Sequence, residues 1–228
     1  MSKRKRISIV CVLALLVIAI VAGWVLLNQN SEQGQASTPR PTGTLAAGYK
    51  PVIYLYPEES MHVAVYLDAR WDLTYTYPQY QDGWQVMAHP DGTLINDVDA
   101  KEYSYLFWEG VSDVEYDMSQ GFVVKGEDTA SFLQEKLAYL GLAPREYNEM
   151  IVYWLPQMQD NAYNLITFQE QAYLDSAKLV IEPAPDSILR VFMVFKALEK
   201  PVDIPPQQLA SFVRKGFTVI EWGGTQIQ

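Results

Sequence analysis

Cysteine and histidine are nearly absent from this sequence of 228 residues. The single cysteine, Cys11, lies in an uncharged apolar run, so no disulfide is available to stabilise the rest of the chain. The two histidines, His62 and His89, are too few for a structural zinc site, which normally needs four nitrogen or sulfur ligands. The G-x-S-x-G sequence of serine hydrolases and glycine-rich phosphate loops are also missing. We therefore expect no cofactor and no metal site of this kind.

Charge is scarce as well, and it is unevenly distributed. Only 19% of the residues are charged, and the net charge is −10. Four of the 17 basic residues lie between Lys3 and Arg6, whereas the first acidic residue is Glu32, so the rest of the chain is more acidic than the average indicates. A strongly acidic domain offers no basic face to phosphates, and we expect no nucleic-acid partner.

An uncharged apolar run follows the basic cluster, from Ile7 to Leu27. At 1.5 Å per residue, this run is long enough to cross the roughly 30 Å hydrocarbon core of a bilayer. By the positive-inside rule, residues 1–6 stay in the cytoplasm. We expect a signal-anchor in the cell membrane, with a single pass and an extracellular C-terminal domain; cleavage of the anchor is the alternative.

The remaining sequence divides into a stalk and a domain. Residues 28–47 are rich in Gln, Ser, Thr, Gly and Pro without an apolar period, which indicates a flexible stalk. Residues 48–228 contain all 15 tyrosines and all 8 phenylalanines, enough aromatic surface for a large core without disulfides.

The predicted elements of residues 48–228 are mainly short strands with a helix pair between them. Apolar and polar residues alternate about every ten residues between turn signals, as in antiparallel sandwiches and barrels. Helical periods over Thr129 to Leu140 and Pro144 to Leu155 indicate a helical hairpin, and Gln207 to Arg214 indicates a further short helix. The predicted fold class is α+β: an N-terminal transmembrane helix, then a mostly antiparallel β-sandwich or barrel-like domain with an inserted helical hairpin.

Several strings give the domain a recognisable signature: KPVIYLYP from Lys50 to Pro57, LFWEG from Leu106 to Gly110, and EWGG from Glu221 to Gly224. With these strings the chain resembles a group of uncharacterised bacterial membrane-anchored or exported proteins whose domain opens with KPVIYLYP. The resemblance covers nearly all of Lys50 to Gly224. It implies kinship and no established activity, so it assigns no functional residue.

Two glutamates end apolar strands beside aromatic residues. Glu109 follows Trp108, and Glu221 precedes Trp222. Two carboxyls in a shared cleft, with aromatic platforms for sugar rings, would suit a glycan-active hydrolase. The alternative is that these glutamates are hydrogen-bonded to Arg190, to Lys125 or to the backbone.

Tyrosines on predicted strands form a second candidate site. Their alternation allows an exposed ladder for a glycan or a peptide, although core tyrosines with satisfied hydroxyls are the common case. The candidate binding residues are Tyr75, Tyr77, Tyr103, Tyr105, Trp108 and Trp222, with Tyr80 beside them.

An acidic segment from Asn96 to Glu102 contains oxygen ligands that suit calcium, but its spacing does not match a calcium loop, and a hairpin turn explains the same residues.

Two functions remain open. The leading hypothesis is a non-catalytic ligand-binding or structural module at the cell surface, whose partner is a cell-wall glycan, a peptide or a protein. The alternative is the hydrolase with Glu109 and Glu221.

Overall fold

The computed structural model describes residues 46–69 and 71–228 of the chain. Strands dominate this part, with three short α-helices and two 3₁₀ turns between them. The strands are β1 (Ala46–Tyr56), β2 (Met61–Ala69), β3 (Asp72–Tyr77), β4 (Trp84–Ala88), β5 (Leu94–Asn96), β6 (Glu102–Tyr103), β7 (Leu106–Ser112), β8 (Phe122–Lys125), β9 (Tyr163–Gln169), β10 (Ala177–Glu182), β11 (Ser187–Leu198) and β12 (Thr218–Ile227). The helices are α1 (Thr129–Leu140), α2 (Pro144–Trp154) and α3 (Gln171–Ser176); the 3₁₀ turns are Gly126–Asp128 and Leu155–Gln157.

The strands form two sheets. The larger sheet has seven strands in the order β3-β7-β1-β12-β11-β9-β8, and the smaller sheet has five in the order β10-β2-β4-β5-β6. Neighbouring strands are antiparallel, except that β11 and β12 are parallel. A parallel pair needs a crossover, and residues 199–217 provide it without regular secondary structure.

The larger sheet is buried on both faces over most of its width. One face packs against the smaller sheet, with Trp84, Trp108 and Phe192 in the core between them. The other face packs against α1 and α2, with Trp154 and Trp222 in that second core. Alternate residues of a strand point to opposite faces, so Val52 and Tyr54 enter the helix-side core while Ile53 and Leu55 enter the inter-sheet core.

The helical hairpin follows from local signals. Helix α1 ends at Gly141, whose φ of 112° is left-handed, and the N–H of Leu142 reaches back to the Leu137 carbonyl over 3.0 Å. Pro144 opens α2, and the backbone N–H of Ala143 donates to Glu146 Oε2 at 2.7 Å.

The predicted α+β class is wrong, because the described fold is mostly β, in two sheets with few helices. The N-terminal transmembrane helix of that prediction falls on residues outside the described part of the chain. The helix pair forms over nearly the expected bounds, but α1 and α2 contribute only 12 and 11 residues to a fold with twelve strands. The expected helix over Gln207 to Arg214 is an irregular segment, where the Gln207 side chain bonds both backbone groups of Phe168.

Ile7 to Leu27 and the basic tail lie outside the described residues, as does all but the end of the stalk. Within residues 46–69 and 71–228, no helix has the length and apolar character needed to cross a bilayer.

Candidate functional site

Strands β3 and β7, at one end of the larger sheet, carry exposed aromatic side chains on the helix side of the sheet. The helices cover the strands further in, where Trp222 and Phe195 are fully buried. On β3, by contrast, Tyr75 is 58% exposed and Tyr77 is 52% exposed. Tyr77 pairs with Phe107 in the antiparallel register, so their side chains share one face. The uncovered end of the sheet therefore presents an aromatic surface to solvent.

A cavity of about 240 Å³ lies on this surface, and we call it the aromatic pocket. Tyr75 and Phe107 stand with ring centroids 5.8 Å apart, and Tyr105 packs edge-to-face on buried Tyr54 at 5.7 Å. Partial burial, and then the nearby Glu149 carboxylate, raise the pKa of Tyr105, so this hydroxyl remains a proton donor. The lining residues are Lys50, Tyr75, Tyr77, Tyr105 and Phe107.

Lys50 enters the pocket from a bulge in β1. At this point β1 has one residue more than the paired segments of β7 and β12. Lys50 lies in this bulge and has a left-handed φ of 57°. Lys50 also precedes Pro51, and a residue before proline favours extended backbone. Such a conformation costs a non-glycine residue on the order of 1–3 kcal/mol and often marks a functional position.

The Lys50 ammonium lies over two aromatic rings. Its Nζ is 4.6 Å from the ring centre of Tyr153 and 5.7 Å from that of Trp222. Burial lowers the pKa of Lys50 below its ordinary value, although attraction to Glu149 opposes the change. The pocket thus combines aromatic rings with one half-buried cation.

A longer cavity of about 600 Å³ runs along β3 from Leu73 to Tyr80, and we call it the edge groove. It shares Tyr75 and Tyr77 with the aromatic pocket, so the two cavities adjoin. Tyr103 forms its far wall, with its ring 5.1 Å from Tyr77 in an edge-to-face contact. Hydroxyl and amide groups line the groove between the rings, which suits a ligand with many hydrogen-bonding groups.

Asp99 fixes the orientation of the Tyr103 ring. Tyr103 Oη donates to Asp99 Oδ2 at 2.6 Å, and this hydrogen bond raises the pKa of Tyr103 to about 12. The same bond lowers the pKa of Asp99. Asp99 also accepts hydrogen bonds from the Asn96 amide and the Lys101 N–H, so the acidic segment is a hairpin turn with internal bonds. In the described part of the chain, no three His, Cys, Asp or Glu side chains are grouped closely enough to hold a metal ion.

A buried hydrogen-bond chain supports the floor of the pocket. Tyr54 Oη donates to Glu149 Oε2 at 2.7 Å and accepts from Trp222 Nε1 at 3.2 Å. Arg145 Nε lies 3.9 Å from Glu149 Oε1 on the next turn of α2. Burial, followed by the hydrogen bond to Glu149, raises the pKa of Tyr54 well above its ordinary value. These hydrogen bonds link α2 to β1 beneath the exposed rings.

Trp108 and Trp222 do not belong to the exposed surface. Both are fully buried, Trp108 between the sheets and Trp222 under the helices. Each indole N–H has an internal partner: Trp108 Nε1 donates to Glu221 Oε1 at 3.2 Å, and Trp222 Nε1 donates to Tyr54. Their proposed role as ligand platforms is therefore corrected, because neither ring reaches solvent.

The structure does not bring Glu109 and Glu221 together. On β7, Trp108 points into the inter-sheet core, so the next residue, Glu109, points to the opposite face. Glu109 accepts a hydrogen bond from the exposed Thr74 hydroxyl at 3.2 Å. Glu221 lies in the inter-sheet core and is fully buried. The two carboxyls are on opposite faces of the sheet and cannot share a cleft.

Glu221 is instead half of a buried ion pair. Its neighbour across the parallel register is Arg190, whose Nε donates to Glu221 Oε2 at 2.5 Å. The Arg190 guanidinium also stacks on the Tyr173 ring at 4.7 Å. Burial alone would lower the pKa of Arg190, but the charge and hydrogen bonds of Glu221 outweigh it and raise this pKa. This buried pair stabilises the fold, and Glu221 is bonded to Arg190 and not available to a ligand.

Two residues of the pocket, Lys50 and Phe107, were not among the predicted site residues. Phe107 lies two positions after Tyr105, so the alternation of β7 was the signal for its direction. Lys50 opens the KPVIYLYP string, but only the bulge in β1 reveals its backbone conformation.

Comparison with known proteins gives little further information. No protein-family model matches the chain, and no solved structure matches it. A stretch of 64 residues is 41% identical to a Butyrivibrio fibrisolvens protein described as "Uncharacterized protein in bglA 3'region". The match covers 27% of this chain and 65% of that protein's length. That description names no activity.

Proposed function

We propose that this protein is a non-catalytic binding module that holds a carbohydrate chain across the aromatic pocket and the edge groove. The observation that carries the proposal is the exposure of Tyr75 and Tyr77, each more than half exposed, where the two cavities meet. Exposed aromatic rings offer flat apolar faces to the C–H faces of sugars, and the cost in conformational entropy is low because tyrosine has few rotatable bonds.

The polar groups of the groove support the same ligand class. Thr74, Thr76, Gln79 and Asp99 line it together with the rings. Hydroxyl, amide and carboxylate groups complement sugar hydroxyls, which both donate and accept hydrogen bonds. Together the two cavities fall in the size range of small-molecule sites, which is on the order of 300–1,000 Å³.

A binding role is favoured over hydrolysis by the position of the carboxylates. Glycoside hydrolysis commonly uses two carboxyls on either side of the scissile bond, within about 10 Å of each other. Glu109 and Glu221 point to opposite faces of one sheet, and Glu221 forms a buried ion pair with Arg190. No step of bond cleavage is therefore assigned to this surface.

The proposed location of the module is the cell surface, tethered to the membrane by residues 7–27. The uncharged run and the basic cluster before it support this location. A tethered binding module would hold a glycan close to the cell without modifying it.

The test is a glycan array probed with the full-length chain, followed by titration calorimetry on the glycans that bind. Replacing either Tyr75 or Tyr77 by alanine should weaken binding by about 3- to 10-fold, because each ring contributes roughly 0.5–1.5 kcal/mol beyond its buried area. Tyr139→Ala is the matched control, since Tyr139 is 54% exposed on α1. Release of shorter sugars would contradict the non-catalytic role. If only peptides bind, the ligand class is wrong.

A further inference from the structure

Lys50 is the one cation among the described residues that line the aromatic pocket and the edge groove. It forms no ion pair with a carboxylate of the described residues. Glu149, the carboxylate that influences Lys50 most, is already bonded to Tyr54 and lies beside Arg145. The ammonium of Lys50 rests on two aromatic rings and retains hydrogen-bond donors for a ligand.

The backbone at Lys50 is a second, independent observation. A left-handed φ of 57° before a proline is a conformation that glycine would adopt without a steric penalty. The bulge requires this conformation, but it does not require a lysine side chain. A charged residue at such a position points to a use for the side chain itself.

We propose that Lys50 binds a carboxylate of the ligand, so that the aromatic pocket selects an acidic sugar, a uronic acid, over its neutral counterpart. This inference rests on the proposed carbohydrate-binding function. The sugar ring would stack on the tyrosine and phenylalanine rings of the pocket, and its carboxylate would accept a charge-assisted hydrogen bond from the ammonium. Because Lys50 is half-buried, this contact is screened by salt less than a surface contact.

The acidic character of the protein does not prevent such binding. Asp99 is the only carboxylate that lines the two cavities within the described residues, and Tyr103, Asn96 and the Lys101 N–H already bond to it. Glu109 lies outside the lining of the pocket. Repulsion from more distant carboxylates falls off over a Debye length of about 8 Å at physiological ionic strength.

The experiment compares matched pairs of oligosaccharides by titration calorimetry with the full-length chain. Oligomers of glucuronate, galacturonate and mannuronate are each paired with the carboxyl-reduced form, which keeps the ring and loses the charge. The chain should bind at least one acidic oligomer about tenfold or more tightly than its reduced partner, as expected for a hydrogen bond to a charged group.

Two variants identify the residue responsible. Lys50→Gln should remove the discrimination between the acidic oligomer and its reduced partner, and Lys50→Arg should keep most of this discrimination. A urea unfolding midpoint equal to that of the wild type shows that each variant is folded. If Lys50→Gln fails to fold, the wild-type preference should still decline with added salt and as the ammonium deprotonates at high pH.

The outcomes separate this inference from the proposed function. Equal binding of both partners, or discrimination that survives in Lys50→Gln, would overturn the role of Lys50 while carbohydrate binding stands. If neither the acidic nor the neutral oligomers bind, and no other glycan does, the proposed function itself fails.

Discussion

Replacing Glu221 by glutamine should destabilise the protein by about 3–5 kcal/mol, because Arg190 would keep its charge without a counterion in the inter-sheet core. The Glu221 side chain is fully buried, and only 6% of the Arg190 side chain is exposed. Water therefore cannot replace the lost carboxylate. Arg190→Met should cost a similar amount, since it leaves the fully buried Glu221 carboxylate without a counterion.

The double variant should behave differently from either single one. With Arg190→Met and Glu221→Leu combined, no charge remains to be desolvated, and stability should return to within about 1 kcal/mol of the wild type or exceed it. Urea unfolding of the wild type and of these variants measures the differences in the free energy of unfolding, provided that the m-value does not change. The four proteins together form a double-mutant cycle. Glu109→Gln is the control, because the loss of a half-exposed carboxylate should change the free energy of unfolding by only about 0.5 kcal/mol. A loss below about 1 kcal/mol for Glu221→Gln would refute the reasoning that this pair is shielded from water.

Three further predictions concern other parts of the domain. Arg214→Met should destabilise by about 2–4 kcal/mol, because Glu146 is fully buried and Arg214 contacts both of its carboxylate oxygens; urea unfolding measures it. Gly224→Ala should cost about 1–3 kcal/mol in the same assay, since an added Cβ would lie 2.5 Å from the Met193 carbonyl oxygen. Binding of an acidic sugar should weaken as pH rises toward 10.5, because Lys50 has a lowered pKa and loses its proton earlier than an ordinary lysine; calorimetry from pH 7 to 10 should show this decline, and a flat profile would contradict it.

Local structure could be predicted from the sequence where a single residue type decides it. The helix expected over Thr129 to Leu140 has those bounds in the structure, because Gly141 supplies the left-handed residue that ends it. The helix expected over Gln207 to Arg214 does not form; the Gln207 side chain instead bonds the backbone N–H and carbonyl of Phe168, a tertiary contact that the local pattern could not indicate.

The exposure of each aromatic residue could not be predicted in the same way. Tyr75 and Trp222 both lie on strands with alternating patterns, yet one is mostly exposed and the other is fully buried. The difference depends on which strands the helical hairpin covers, and this depends on a strand order that links distant parts of the chain. The expectation that Glu109 and Glu221 end strands is wrong, because both lie inside their strands, β7 and β12. The alternation also gave no information on which faces they occupy.

The position of β12 has a consequence for how the domain is made. This strand lies between β1 and β11 in the larger sheet, although residues 57–217 separate it from β1 along the chain. Neither core can be completed before residues 218–227 have been synthesised, because Val219 contributes to one core and Trp222 to the other. Until then the earlier strands expose a large apolar surface, and this exposure favours chaperone binding. Pairing between strands so distant in sequence also slows folding. A chain that stops before Thr218 would lose the central strand of its larger sheet and would be a substrate for proteolysis.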